Sequence, residues 1–149
     1  HSDDAESIDR LFGKVCRLRN SRADAVLDEI GLYRGQPPVL HHLLKQDGLT
    51  QSELGERLQV SPATITKMIK RMEKAGFVKR KQDDIDQRVS RVYLTDAGRA
   101  VKAEMIARMR AIESEAFAGF SLEEQVIMRR LLMQMRDNLQ RIVDEATQS

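Results

Sequence analysis

The sequence predicts a mainly α-helical chain carrying one small β-hairpin, and three observations support that prediction. Apolar residues recur at helical spacing along most of the 149 residues. Capping residues stand at the starts of the periodic runs. Only one stretch, 77–94, alternates apolar and polar residues around a polar loop, as a hairpin does. A hydrophobic content of 41% in a chain of this length fits one compact domain with a sizeable core.

From the N-terminus, His1-Ser2 without an initiating Met reads as an expression remnant. Ile8, Leu11, Phe12, Val15 and Leu18 begin an apolar stripe that Val26, Leu27 and Ile30 resume before Gly31. Gln36-Pro37-Pro38 opens a short helix, because Pro is tolerated in a first turn and restricts the residue before it. Val39, Leu40, Leu43 and Leu44 are expected to face inward from it, and Asp47-Gly48 stops it. Thr50 with Glu53 three residues on is a capping box for a helix over 51–58. Ser61 caps the next helix, with Pro62 at its first position, and that helix ends at Gly76. The tight break Gln59-Val60 makes the pair a helix-turn-helix, in which Gly55 is expected to permit close packing despite weak helix propensity.

Phe77 to Lys81 then reads as a strand, 82–89 as a loop and Ser90 to Leu94 as the returning strand, which adds a wing. Thr95 caps a helix to about Phe117, broken at Gly119, and Ser121 with Glu124 opens another toward Ala146. In that last helix Met128, Leu131, Leu132, Met135, Leu139, Ile142, Val143 and Ala146 form one stripe, too long for a small lone domain to cover. The economical reading is a helical dimerisation layer from 3–31 and 119–147, a winged helix-turn-helix over 36–95 and a connecting helix over 96–118. The alternative is a bundle closed within one chain.

The second helix of the pair turns Ile65, Met68, Ile69 and Met72 to one side. Its opposite side carries Ala63, Thr66, Lys67, Lys70 and Lys74, flanked by Thr64 and Arg71, small and polar at first and then basic. A helix that enters a major groove needs that gradient, since its first turns approach base edges and later cations meet phosphate. A solvated lysine face is the plain alternative. From Ser61 to Thr95 nine Lys/Arg stand against four Asp/Glu, a net of +5, so a chain totalling +2 carries −3 elsewhere. Such a local field attracts a polyanion. At the hairpin tip Asp86 can hold Arg88 extended, in a form that suits a narrow A·T-rich minor groove.

Asp-x-Arg-x-x-x-Val-x-Leu-Thr-x-x-Gly, from Asp86 to Gly98, is similar to the wing signature of MarR-type transcriptional regulators. Leu49-Thr50-Gln51-Ser52-Glu53-Leu54 and Ser61-Pro62-Ala63-Thr64-Ile65-Thr66 resemble the same family, so the specific motifs cover about the middle third of the chain. The resemblance implies a homodimeric winged helix-turn-helix repressor or activator on a pseudo-palindromic operator, often released by a small molecule. By matching position it implies that Ser61, Ala63, Thr64, Thr66 and Lys67 face bases or phosphates, that Gln51 supports a phosphate contact, and that Asp86 positions Arg88 in the minor groove. Lys70, Arg71 and Lys74 join them as cations of the same helix.

Other chemistries find little support. His41 and His42 are adjacent on a helix, about 100° apart, and no ligand cluster accompanies them, so no metal is expected. Zinc-sensing members of the family use histidines on the fifth helix, and 96–117 has none. His41 or His42 with Arg17 or Arg19 is the candidate set for neutralising an anionic aromatic effector, against the plain reading of solvated side chains. Cys16 raises redox sensing as an alternative, but the sensing thiol of peroxide-responsive relatives falls nearer Asp9, and a Cys beside Val15 and Leu18 reads as core. As the lone cysteine it excludes an internal disulfide and fits a reducing cytoplasm. No apolar run approaches 18 residues, so no membrane span is expected. With no Gly-rich phosphate loop or nucleophile elbow, no catalytic residue and no cofactor are expected, and Glu123-Glu124 and Asp83-Asp84 read as structural. The expected partners are double-stranded DNA, a second copy of the chain and a small effector. The competing class is a winged-helix protein-interaction module, and a further alternative is an architectural DNA-binding protein without an effector.

Overall fold

The computed structural model describes residues 6–149, so positions 3–5 of the expected dimerisation region lie outside the described residues. The order is α1 (Ile8–Glu29), α2 (Gln36–Lys45), β1 (Leu49–Thr50), α3 (Gln51–Leu58), α4 (Pro62–Lys74), β2 (Val78–Gln82), β3 (Ser90–Leu94), α5 (Asp96–Ala116) and α6 (Leu122–Thr147). Two compact units divide it, the first ending at Ile112 and the second running from Glu113 to Ser149. The mainly α class with a hairpin wing is as expected.

Within the first unit local chemistry sets the helix starts. Ser7 Oγ accepts from Arg10 N at 3.2 Å and opens α1. Thr50 Oγ1 accepts from Glu53 N at 3.1 Å, and Ser61 Oγ accepts from Thr64 N at 3.1 Å. The box expected at Thr50 forms only by its hydroxyl half, the Glu53 side chain making no return bond to the cap. α4 ends in a left-handed Gly76 at φ 86°, and Phe77 N donates back to Met72 O at 2.9 Å. Phe77 therefore completes the helix cap, and β2 starts one residue later than expected.

The sheet has three antiparallel strands in the order β1-β3-β2, with Leu49 opposite Val92 and Val78 opposite Leu94. β1 was not expected, since two residues are too few to show alternation. Gly48 makes it possible: its φ of +77° turns the chain, and its N–H donates to Val92 O at 3.0 Å.

The core is built from buried residues of the first unit's helices and strands. α4 buries Ile65, Ile69 and Met72, and α2 buries Gln36, Val39, Leu40 and Leu43. Those α2 positions follow i, i+3, i+4, i+7, which leaves Leu44 outside the arc and 48% exposed, against expectation. Gln36 is buried without penalty, because its Oε1 accepts from Tyr33 N at 3.1 Å. Fully burying side chains such as Ile69 stabilises by about 1.5–3 kcal/mol each.

Gly55 does not have the role expected of it. A methyl group there would meet Ile65 Cγ2 at 3.5 Å, an ordinary contact. The close approach lies at Gly98 instead, where a Cβ would stand 2.1 Å from Phe77 O.

α1 is a single unbroken helix whose last turns bury Val26 and Leu27, while Ile8, Leu11, Phe12, Val15 and Leu18 lie exposed. In the second unit Ser121 and Glu124 form the full capping box expected there, at 3.1 and 2.9 Å. α6 buries no residue, and its stripe from Leu131 to Val143 is exposed. No helix of the described residues is long and apolar enough to cross a membrane.

Candidate nucleic-acid interface

α4 presents one face away from the core. Pro62 presets the first turn, and Ser61, Ala63, Thr64, Lys67, Lys70, Arg71 and Lys74 are all exposed opposite the buried Ile65, Ile69 and Met72. Ser61 also donates from Oγ to Thr64 Oγ1 at 2.9 Å, which fixes both hydroxyls at the tip of the helix. Thr66 is half-buried, and Gln51 Nε2 donates to its Oγ1 at 3.3 Å. Gln51, expected to support a phosphate contact, thus ties α3 to α4 with its amide, and Thr66 is less free than the helical wheel implied.

Arg71 is held by a residue that the sequence did not single out. Its guanidinium carbon lies 4.9 Å from the centroid of the Tyr33 ring, in the loop after α1, a cation–π contact that orients the charge. Tyr33, Arg34, Thr64, Lys67, Lys70 and Arg71 line a groove of about 410 Å³ beside the helix.

The wing is braced from its base to its tip. Arg80 donates from Nε and Nη2 to Glu73 Oε1 at 3.2 and 3.0 Å and locks β2 to α4. This pairing holds the Glu73 carboxyl below its ordinary pKa. Arg91 donates from Nε to Asp83 Oδ1 at 2.7 Å and from Nη1 to Gly48 O at 2.9 Å, joining the turn after β2 to the turn before β1. The Arg91 hydrogen bond lowers the Asp83 pKa, and Asp83 in turn raises that of Arg91. Asp86 and Arg88 come together as anticipated. Arg88 donates from Nε to Asp86 Oδ1 at 3.1 Å and from Nη2 to Asp86 Oδ2 at 3.3 Å, and its side chain stays 92% exposed. That bond keeps the Asp86 carboxyl ionised to lower pH than usual. Asp83, Arg91, Glu73 and Arg80 were missed as positioning residues, because their partners lie on other elements and leave no mark in local spacing.

The effector set is only partly assembled. His41 and His42 meet edge to face with ring centroids 5.7 Å apart. His41 is exposed, and its pKa is lowered first by Lys45 and then by burial, Lys102 and His42. The cations acting on it are therefore Lys45 and Lys102, whereas Arg17 and Arg19 lie exposed on α1 with no hydrogen bond or ion pair to either histidine. Lys102 is 9% exposed, and desolvation lowers its pKa. Cys16 is half-buried. Among the described residues no group of three or more His, Cys, Asp or Glu is arranged to hold a metal ion.

Comparison with known proteins gives the arrangement a context. The MarR family profile matches residues 32–90. The HTH-type transcriptional repressor MdtR of Bacillus subtilis is 32% identical over 126 residues, spanning 85% of this chain and 78% of that protein. A MarR protein from Peptoclostridium difficile shares the fold at a TM-score of 0.65 with 32% identity, over 90% of this chain and 88% of that one. A mutant of S. aureus MepR bound to an oligodeoxyribonucleotide is similar in fold at a TM-score of 0.72 and 24% identity, over 90% of this chain and 99% of that chain.

Proposed function

Because the chain belongs to the MarR family of winged helix-turn-helix transcriptional regulators, we propose that it is a homodimeric repressor that reads a pseudo-palindromic operator and releases it to a small anionic aromatic effector. The observation that carries this reading is the exposed face of α4, where Ser61, Ala63 and Thr64 lead and Lys67, Lys70, Arg71 and Lys74 follow. Small polar side chains at the tip allow the backbone close to base edges, and the cations behind them meet phosphates. Arg88, held by Asp86 and 92% exposed, reaches the adjacent minor groove.

One helix in one groove reads too few base pairs for useful specificity, so a second reader is needed. The exposed apolar stripes of α1 and α6 support a two-fold dimer, which would set the two α4 helices about one turn of B-DNA apart. The effector part of the proposal is supported by His41 in a neighbourhood of Lys45 and Lys102. An effector that reverses occupancy must bind the two states with affinities differing by orders of magnitude.

Selecting bound sites from random duplexes tests the reading in one experiment. The expected product is a pseudo-palindrome with half-sites about 10 bp apart. Thr64→Ala should relax base preference at a defined position, and Lys74→Ala should weaken every duplex alike. Binding without sequence preference, or the solution mass of a single chain at micromolar concentration, would overturn the proposal.

A further inference from the structure

We propose that Ile85 is a second, apolar minor-groove probe, packing against the sugar wall of the groove beside Arg88. This inference rests on the DNA-binding reading above and specifies how the wing is seated. Ile85 is 96% exposed, the most exposed large hydrophobic residue among those described. Isolated surface hydrophobics are ordinary. This one stands on a braced turn.

Asp83 Oδ2 accepts from Ile85 N at 3.2 Å and from Asp86 N at 3.0 Å, an Asx-type turn that fixes the backbone beneath the side chain. Asp83 is anchored by Arg91 at 2.7 Å, and Val89 N closes the turn on Asp86 O at 3.0 Å. A β-branched side chain on such a base is stiff at χ1 and loses little freedom on binding. Three residues on, the Arg88 guanidinium is held by Asp86 in the same turn. The tip thus offers one cationic and one apolar side chain, each carried on backbone fixed by hydrogen bonds.

Electrostatics alone would not seat this tip between two phosphate ridges. Asp83, Asp84 and Asp86 against Arg88 and Arg91 leave the turn and its partner at −1, and the Arg88 charge is shared with Asp86. A contribution independent of charge is required, and removal of apolar surface from water supplies one. Proteins that enter the minor groove commonly bring aliphatic side chains to it. The rest of the turn, with its three acids and an amide, has no other aliphatic group before Val89, which is half-buried.

The test uses the duplex that the wild-type protein selects from a random pool, with affinity measured over a series of salt concentrations. Ile85→Ser should bind about ten-fold more weakly at every salt concentration, with the slope of log K against log salt unchanged, because burial of one aliphatic side chain is not screened. Ile85→Leu should stay within about two-fold of wild type, and Arg88→Ala should lose affinity with a flatter slope. Replacing A·T by diaminopurine·T at the wing position places an amino group in the minor groove and should penalise wild type more than Ile85→Ser. Unchanged melting temperatures would show that the variants fold. Equal affinities of wild type and Ile85→Ser, a loss that fades at high salt, or an equal diaminopurine penalty would overturn the role of Ile85 alone. Failure of the wild type to select any duplex would overturn the DNA-binding reading and this inference together.

Discussion

Two glycines in helices of the first unit should respond in opposite directions to the same substitution. At Gly98 an alanine Cβ would sit 2.1 Å from Phe77 O, 3.1 Å from Phe77 C and 3.2 Å from Leu94 Cδ2. The obstacle is backbone, not the end of a flexible side chain, so Phe77 or the first turn of α5 has to shift. Phe77 O already accepts from Thr95 N at 3.1 Å, and Gly98 N donates to Thr95 Oγ1 at 3.0 Å, so the shift loosens the joint between β3 and α5. Overpacking of this kind costs about 1–3 kcal/mol, and a weakened hydrogen bond adds about 1 kcal/mol. The better helix propensity of alanine returns about 1 kcal/mol. With overpacking at the upper end of its range, the net loss is about 3 kcal/mol.

At Gly55 the same methyl group meets Ile65 Cγ2 and Val60 O at 3.5 Å each. No clash opposes the propensity gain, so Gly55→Ala should stabilise by about 1 kcal/mol. Thermal unfolding followed by circular dichroism, at one fixed protein concentration, should lower the midpoint by about 6–12 °C for Gly98→Ala and raise it by about 2–4 °C for Gly55→Ala. Two shifts of the same sign would refute the reasoning, because helix propensity alone predicts that both alanines stabilise.

Three further outcomes follow from the charged groups. Each phosphate neutralised contributes about 0.9 to the salt slope, so Lys74→Ala should flatten it by about 1.8 if the protein binds as a dimer and by about 0.9 if it binds as a monomer, as read by titration of the selected duplex in increasing salt. The Arg91 hydrogen bond lowers the folded-state pKa of Asp83, so its contribution is fully present above the ordinary carboxylate value and disappears as pH falls through the lowered one. Wild type should therefore melt above Asp83→Asn from pH 8 down to 5 and converge with it only in stronger acid, and convergence already at pH 5 would contradict the assignment. Lys102→Met should raise the midpoint at pH 7 by removing a desolvated ammonium. The gain should shrink as pH rises toward 10.5, since the unfolded chain then binds the proton that the folded one has released.

What could be read from the sequence was what depends on near neighbours. Ser61 and Thr64, or Ser121 and Glu124, meet within one turn, and their spacing alone predicts the contact. The Asp86–Arg88 pair is of the same kind. Residues whose partners lie far along the chain were not legible. Tyr33 and Arg71 come together only because the loop after α1 runs past α4, and Arg91 reaches Gly48 O across 43 positions. Leu44 was misread because the four apolar residues of α2 outnumber the arc that the core accepts, and Gln36 occupies a place that hydropathy would not assign to it. The signature glycine at Gly98 was visible as a motif, but the carbonyl that forbids a side chain there was not.

The ion pairs also change what the charge count means. A net of +5 over 61–95 suggests a uniformly basic surface, yet Arg80, Arg88 and Arg91 are each bonded to an acid of the same segment. The more exposed Arg80–Glu73 and Arg88–Asp86 pairs contribute little stability, so their effect is on shape: they hold the wing against α4 and position its tip, while the less exposed Arg91–Asp83 pair fixes its turn. Among the described residues, Lys67, Lys70, Arg71, Lys74, Lys79 and Lys81 have no acid partner, and only Arg71 is held, by an aromatic ring. Four of those six lie on α4 and none at the wing tip. Counterion release should therefore come chiefly from the helix, while the wing contributes position and contact. Lys74→Ala on α4 and Ile85→Ser at the wing tip should then separate in their salt dependence even where their losses of affinity are equal, because one removes free charge and the other removes uncharged surface.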